Sequence, residues 1–215
     1  MRGLIHTHTY YSFDSLLPPW AYLWYANRRG LDFLCITDHN TLAGARAAAR
    51  LNRNPRLQVV IGAEYATDQG DIVGLFLHEE IRERACQAVI QAIHAQGGLA
   101  LLPHPYRGHQ LDEGMCAAVD LVEIFNARTS AAANQRGQEQ AQSRRKPQLV
   151  GADTHTLLEL IRNQTSVSLE GDHDLKKRLL QGPRSFTTHS SSRLLRRYSQ
   201  VVKRVRQRVG LAGYR

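Results

Sequence analysis

Short apolar runs alternate with amphipathic stretches along most of the chain. Runs rich in Leu, Ile and Val predict strands at residues 3–5, 33–36, 58–61, 72–77, 99–102, 121–125, 148–150 and 166–169. Runs this short and this uniformly apolar fit strands buried on both faces. Between them lie helical patterns. Pro18-Pro19 opens a helix through Trp20, Leu23, Trp24 and Asn27 that Gly30 stops. Thr41 is placed to cap the Ala-rich stretch 42–52. Ile81, Ala85, Val89, Ala92 and Ile93 mark one helical face ended by Gly97-Gly98. Polar helices are predicted over 131–145 and 172–180. Strand-helix alternation sustained this far predicts an α/β fold, either a barrel or an open parallel sheet.

The residues that follow the strands carry the chemistry. After Gly3-Leu4-Ile5 comes His6-Thr7-His8, with Asp14 six residues later; after Leu34-Cys35-Ile36 comes Thr37-Asp38-His39. The third run leads into Gly62-Ala63-Glu64, the fifth into Pro103-His104-Pro105, the sixth into Glu123 and Asn126-Ala127-Arg128, and the seventh into Gly151-Ala152-Asp153-Thr154-His155. In a parallel α/β fold such ends open on one face, where ligand and active sites lie. Singly, each motif has a bland explanation. A His-x-His is unremarkable among ten histidines, His104 between prolines reads as a loop residue, and Glu64 could pair with a helix end. Together, in one order, they read as a metal centre. Imidazole and carboxylate donors suit Zn, Mn or Fe, and two or three such ions can activate a water and clamp phosphoryl oxygens. Strand alternation puts His6 and His8 on one side, able to share an ion with Glu64 and Asp153, while Asp14, His39 and His155 could hold another. No GxSxG or P-loop sequence offers a competing chemistry.

This ordered set resembles the PHP family, the metal-dependent hydrolases named for polymerase and histidinol phosphatase. The resemblance rests on His-Thr-His-Thr at 6–9 with Ser12 and Asp14, Thr37-Asp38-His39, Gly62-Ala63-Glu64, Pro103-His104-Pro105 and Gly151-Ala152-Asp153-Thr154-His155. The stretch 71–77 with Glu123 to Arg128 looks like the short stand-alone members. The resemblance implies a distorted TIM-like (β/α)7 barrel with its metal site at the C-terminal ends of the strands. It implies two or three divalent ions on His6, His8, Asp14, His39, Glu64, His104, Asp153 and His155, with Glu64 bridging toward His104. Asp71 stands where many of the family's phosphoesterases have His. Asp153, His155 and Arg128 are expected closest to the reaction. Arg128, Arg107 and Asn126 are expected at the substrate, because a guanidinium fork suits phosphate oxygens. Asp38 and Thr37 are expected to orient His39.

Composition adds less than its net value suggests. The chain has 215 residues, 42% apolar, with a formal charge of +9. Of 28 Lys and Arg side chains, eight fall in residues 193–215, where no acid occurs, so the preceding body is close to neutral. Leu194, Leu195, Tyr198, Val201, Val202, Val205 and Val209 fall on one face of a basic helix over 190–208, with Ser190 to Ser192 as caps. A terminal helix docked by that apolar face, its basic face solvated, is the plain expectation; a nucleic-acid or anionic-membrane contact is the sharper one. We divide the chain into 1–189, the hydrolase-like body, and 190–215, the basic helix. Three cysteines without a CxxC pair, no signal pattern and no apolar run near membrane length predict a reduced, cytoplasmic protein without a transmembrane segment. Three functions compete: a phosphoesterase or phosphatase using a metal-activated water on a small phosphorylated metabolite or nucleotide, a nuclease or oligonucleotide phosphoesterase using the basic helix, and a non-catalytic metal-stabilised binding domain.

Overall fold

A computed structural model of the chain describes residues 1–162 and 164–208. Nine strands form one sheet. They are β1 (Arg2–Thr7), β2 (Phe33–His39), β3 (Gln58–Thr67), β4 (Gly70–Leu75), β5 (Leu99–Leu102), β6 (Leu121–Asn126), β7 (Gln148–Gly151), β8 (Ser166–Leu169) and β9 (Arg184–Thr187), in the order β7-β6-β5-β4-β3-β2-β1-β8-β9. β1 through β7 curl into a nearly closed barrel. Its seam is carried by short links between β1 and the chain after β7: a parallel bridge pairs Thr7 with Thr154, and Ala152 N–H donates to the Ile5 carbonyl. β8 and β9 extend the sheet beyond the seam as an antiparallel pair.

The barrel departs from a uniform parallel ring at one strand. β1-β2, β2-β3, β5-β6 and β6-β7 are parallel, whereas β4 runs antiparallel to both neighbours, because β3 and β4 form a hairpin with no helix between them. The barrel interior is packed by Ile5, Phe33, Cys35, Val60, Val73, Leu75, Leu101, Leu121 and Leu149. Side chains from both faces of these strands are buried, as their apolar runs require.

The helices are α1 (Pro19–Arg29), α2 (Ala43–Leu51), α3 (Cys86–Ala95), α4 (Glu113–Ala118), α5 (Ala131–Ser143), α6 (Leu157–Arg162), α7 (Leu175–Gln181) and α8 (Arg193–Arg208). α1 begins at Pro19 and ends on Gly30, whose φ of 61° is left-handed. It buries Tyr22, Leu23 and Tyr25 and leaves Trp20 and Trp24 outside. Thr41 acts one residue before the α2 cap: its hydroxyl accepts from Ala43 N–H and donates to Glu80. β9 and the six-residue helices α4 and α6 escape the sequence pattern, being too short to show a period. Residues 76 and 77, expected in β4, lie outside it, and Phe76 has a positive φ.

α8 is oriented differently from expectation. Leu194, Tyr198, Val201 and Val205 are exposed, Leu195 and Val202 are half-buried, and buried Ser199 with half-buried Arg196 and Arg206 faces the barrel. Val209 lies outside the described residues. Ser192 Oγ accepts from Leu195 N–H, as a cap should. Among the described residues, no helix is long and apolar enough to cross a membrane.

Candidate metal centre

The expected ligands come together at one mouth of the barrel. His6 sits in β1, where the pairing with β2 shifts register between Leu4 and Thr7, and its φ is 62°. This irregularity, rather than plain strand alternation, turns its ring toward His8; the two ring centres are 5.1 Å apart. His104 and Asp153 also have positive φ, of 31° and 44°. Non-glycine residues held there cost on the order of 1–3 kcal/mol each, and such strain gathers at functional sites.

Glu64, in β3, is the hub. Its Oε2 lies 3.3 Å from His6 Nε2, 3.4 Å from His8 Nε2 and 3.3 Å from His39 Nδ1, and its Oε1 lies 3.0 Å from His104 Nε2. Asp153 Oδ1 lies 3.7 Å from His8 Nε2 and 4.0 Å from His6 Nε2. On the other side, Asp14 Oδ2 is 3.3 Å from His39 Nε2 and 3.0 Å from His155 Nε2. Four overlapping groups have ligand atoms within 4.8 Å of one another: His8, Asp14, His39 and His155; His6, His8 and Glu64; His6, His104 and Asp153; Glu64, Asp71 and His104.

Residues behind these fix their orientation. Glu123 Oε1 accepts from His6 Nδ1–H at 2.7 Å, and its Oε2 accepts from His104 N–H and the Asn126 amide, both at 3.0 Å. A carboxylate on the far nitrogen of an imidazole is the usual support for a metal-facing ring. Ser12 Oγ accepts from His39 N–H at 2.9 Å and lies 3.2 Å from His8 Nδ1. His155 Nδ1–H donates to the Asp153 carbonyl at 3.0 Å, which leaves Nε2 toward Asp14. Glu123 and Ser12 belong to the motifs quoted above, yet strand-end reasoning gave them no role. Glu123 is buried within β6, where it reads as an interior strand position.

Two expected roles change. Asp38 does not hold the His39 ring. It accepts from Thr9 N–H at 2.5 Å and Thr9 Oγ1 at 2.7 Å, pinning the segment that carries His8, while Thr37 reaches the Thr7 carbonyl. Asn126 is fully buried, and its side chain is committed to Glu123, Arg128 N–H and Thr129, with Arg107 Nη1 at 3.4 Å. It stands behind Arg107 and Glu123 and is not among the residues that line the cavity above the cluster. Arg107 Nη2 lies 2.7 Å from Asp153 Oδ2, and Arg128 Nη1 lies 3.4 Å from Glu159 Oε1.

The electrostatics are those of buried imidazoles facing carboxylates. Burial opposes an imidazolium at His6, but Glu123, Glu64 and Asp153 outweigh it and hold its pKa well above the usual value. Burial and the neighbouring His155 and His39 hold His8 well below. His39, half-buried and facing Asp14 and Glu64, is pushed up to about 9. Against burial, Arg107 and His6 keep Asp153 well below the usual carboxylate range. Asp71 is raised by burial and by Glu64.

Among the described residues, four buried atoms of this cluster have no hydrogen-bond partner: His6 Nε2, His8 Nε2, Asp14 Oδ1 and His104 Nδ1. Buried polar atoms are rarely left so. His6 Nε2 and His8 Nε2 both face the oxygens of Glu64 and Asp153, an arrangement that divalent cations would satisfy. The donor set therefore fits such ions, and mixed imidazole and carboxylate donors suit Zn, Mn or Fe.

A cavity of about 300 Å³ opens above the cluster. The barrel lines it with Asp14, His39, Glu64, Asp71, His104, Arg107, Arg128, Asp153 and His155. α8 lines the facing side with Arg196, Ser199, Gln200 and Lys203.

An α/β barrel with a histidine and carboxylate cluster at its mouth defines a class of metal-site barrels. Within that class, the PHP domain family model matches residues 5–206, and the chain belongs to this family. Two uncharacterised proteins of Methanocaldococcus jannaschii are related in sequence. One is 36% identical over 147 residues, covering 59% of this chain and 82% of that protein. The other is 26% identical, covering 98% of this chain and 100% of that protein. Among solved structures, the fold matches a two-domain protein of Bacteroides vulgatus described as containing a predicted PHP-like metal-dependent phosphoesterase. The TM-score is 0.74 at 14% identity, over 94% of this chain and 69% of that one. It also matches PsfC of Pseudomonas syringae, with a TM-score of 0.64 at 16% identity, over 97% and 98% of the two chains.

Proposed function

We propose that this chain is a metal-dependent phosphoesterase acting on a small phosphorylated metabolite or nucleotide. The observation that carries this reading is the set of overlapping ligand groups around Glu64, His6 and His8, with two arginines at the same cavity. His6, His8, Glu64 and Asp153 would hold one ion, Asp14, His39 and His155 another, and Glu64, Asp71 and His104 are placed for a third. When bound, two or three divalent cations supply Lewis-acid polarisation and an acidified water.

The chain's own residues do the rest. Arg107 and Arg128 face the cavity with guanidinium forks that match phosphoryl oxygens. Glu123 holds the His6 ring, and Ser12 fixes His8 and His39. Hydrolysis replaces the bond from phosphorus to the leaving oxygen by a bond to a water oxygen, and the leaving oxygen departs with a proton. The shared fold with the Bacteroides vulgatus protein, described as containing a predicted PHP-like metal-dependent phosphoesterase, supports this reaction class.

The test is metal content together with turnover of p-nitrophenyl phosphate and a nucleotide panel. His8→Ala and Asp153→Asn should each abolish turnover and lower bound metal; full activity with unchanged metal in either variant overturns the assignment. An oligonucleotide phosphoesterase is the second reading, favoured by the exposed arginines 193, 197, 204 and 208 on the outer side of α8. A steep salt dependence of oligonucleotide binding that flattens when these are replaced would select it.

A further inference from the structure

α8 is fixed across the mouth of the site at both ends. Arg196 Nη1 donates to the Arg128 carbonyl at 2.9 Å, and buried Ser199 accepts from the Arg128 guanidinium. Toward its other end, Arg206 Nη1 donates to the carbonyls of Ser12 and Ser15, at 2.9 and 2.6 Å. These flank Asp14 in the chain. The Lys203 ammonium sits 4.8 Å from the centre of the Phe13 ring, which stacks on His39 at 4.7 Å.

Those anchors are carbonyls, a hydroxyl and a ring. None is a carboxylate. Were the helix there to neutralise the acidic mouth, its cations would pair with Asp14, Asp71 or Asp153. Among the described residues, neither Arg196 nor Lys203 forms an ion pair with a carboxylate, although both line the cavity. Their charge is left facing the space opposite the ligand cluster. The cavity between the ligand cluster and α8 is the space open to whatever is bonded to a phosphoryl group at the cluster.

We infer that Arg196 and Lys203 select a phosphoester whose leaving group is itself anionic, bearing a carboxylate or a further phosphate. This rests on the phosphoesterase reading for the reaction, but the recognition of a second anion by α8 can be measured without turnover. Two cations that line the cavity without a carboxylate partner favour such a group by charge-assisted hydrogen bonds, each worth about a tenfold preference.

The experiment uses the full chain loaded with manganese. The first arm compares kcat/KM for p-nitrophenyl phosphate and its ring-carboxylated analogue. The second measures calorimetric binding of methylphosphonate and of 3-phosphonopropionate, which no hydrolysis consumes. The parent should favour the two-anion member of each pair. R196Q/K203Q should lower that preference by about 10- to 100-fold. R197Q/R204Q, on the outer side of the helix, should leave it unchanged. If neither ester is turned over, the phosphoesterase reading fails and the binding arm still decides this one. Equal preference in the parent and R196Q/K203Q overturns the inference. So does oligonucleotide binding that R197Q/R204Q weakens as much as R196Q/K203Q, because that would assign the helix's charge to a polymer on its outer surface.

Discussion

Replacing Gly151 by Ala tests the support behind the metal centre with a single methyl group. A Cβ there would lie 2.2 Å from Glu123 Oε1, 2.6 Å from its Cδ and 2.8 Å from Oε2. Normal contact needs about 3.5 Å, so the carboxylate must retreat by about 1 Å. It has nowhere to go without loss, because both oxygens are committed: Oε1 to the His6 ring, Oε2 to His104 N–H and the Asn126 amide. Overpacking costs about 1–3 kcal/mol, and a weakened hydrogen bond to a buried charge about 1.5–3 kcal/mol. A loss of about 3 kcal/mol in urea unfolding is therefore expected. Displacing a carboxylate that orients a ligating imidazole should also cost about 10- to 100-fold in metal affinity. Shortening the acid should relieve the clash, so Glu123→Asp in the Gly151→Ala background should recover part of the stability, a coupling read from a double-mutant cycle. A Gly151→Ala protein that unfolds within about 0.5 kcal/mol of the parent and binds metal equally well would refute this account of Glu123.

Two further outcomes follow from the same geometry. Stripping metal with a chelator and restoring it at about 100 times its dissociation constant should raise stability by about 2.7 kcal/mol, or on the order of 5–10 °C in calorimetry; an unchanged Tm would count against ion binding. Tyr22→Phe should cost about 1–3 kcal/mol in chemical unfolding, because the Tyr22 hydroxyl lies 2.9 Å from both the His8 and Thr154 carbonyls at the barrel seam; an unchanged denaturation midpoint would show that the seam does not need it.

The ligands were legible because most of them follow strands that run in one direction, and parallel strands deliver their ends to one mouth. His8, His104, Asp153 and His155 obey that rule in the fold, and His6, His39 and Glu64 follow the predicted apolar runs although β1, β2 and β3 extend through them. Asp71 does not. It lies at the beginning of β4, and reaches the same mouth only because the β3-β4 hairpin reverses the chain there. Its position could be read from the resemblance but not from strand ends. Glu123 stands among the strand-end residues of the sequence, but its role was not legible: it sits inside β6, at a register shift, and which ring it supports depends on the tertiary fold. The hydroxyl of Ser12 and the Asp38 bonds to Thr9 depend on how a loop folds back, which no local pattern encodes.

α8 shows where pattern and environment part. Its apolar stripe is legible, and an amphipathic helix ordinarily docks by that stripe. Here the ground beneath it is the mouth of the barrel, lined by carboxylates, imidazoles and two arginines, which offers little apolar surface to cover. Leu195 and Val202 find partial cover, and the seating is made by Arg196, Ser199 and Arg206 on carbonyls and the Arg128 side chain. In the sequence most of the +9 excess lies at the end of the chain, far from the strand-end ligands. The folded arrangement brings two of those cations to the cavity itself. Seated on carbonyls, the helix covers the mouth while, among the described residues, Arg196 and Lys203 form no ion pair with its carboxylates. The helix therefore bears on what the cavity admits as well as on where the protein binds.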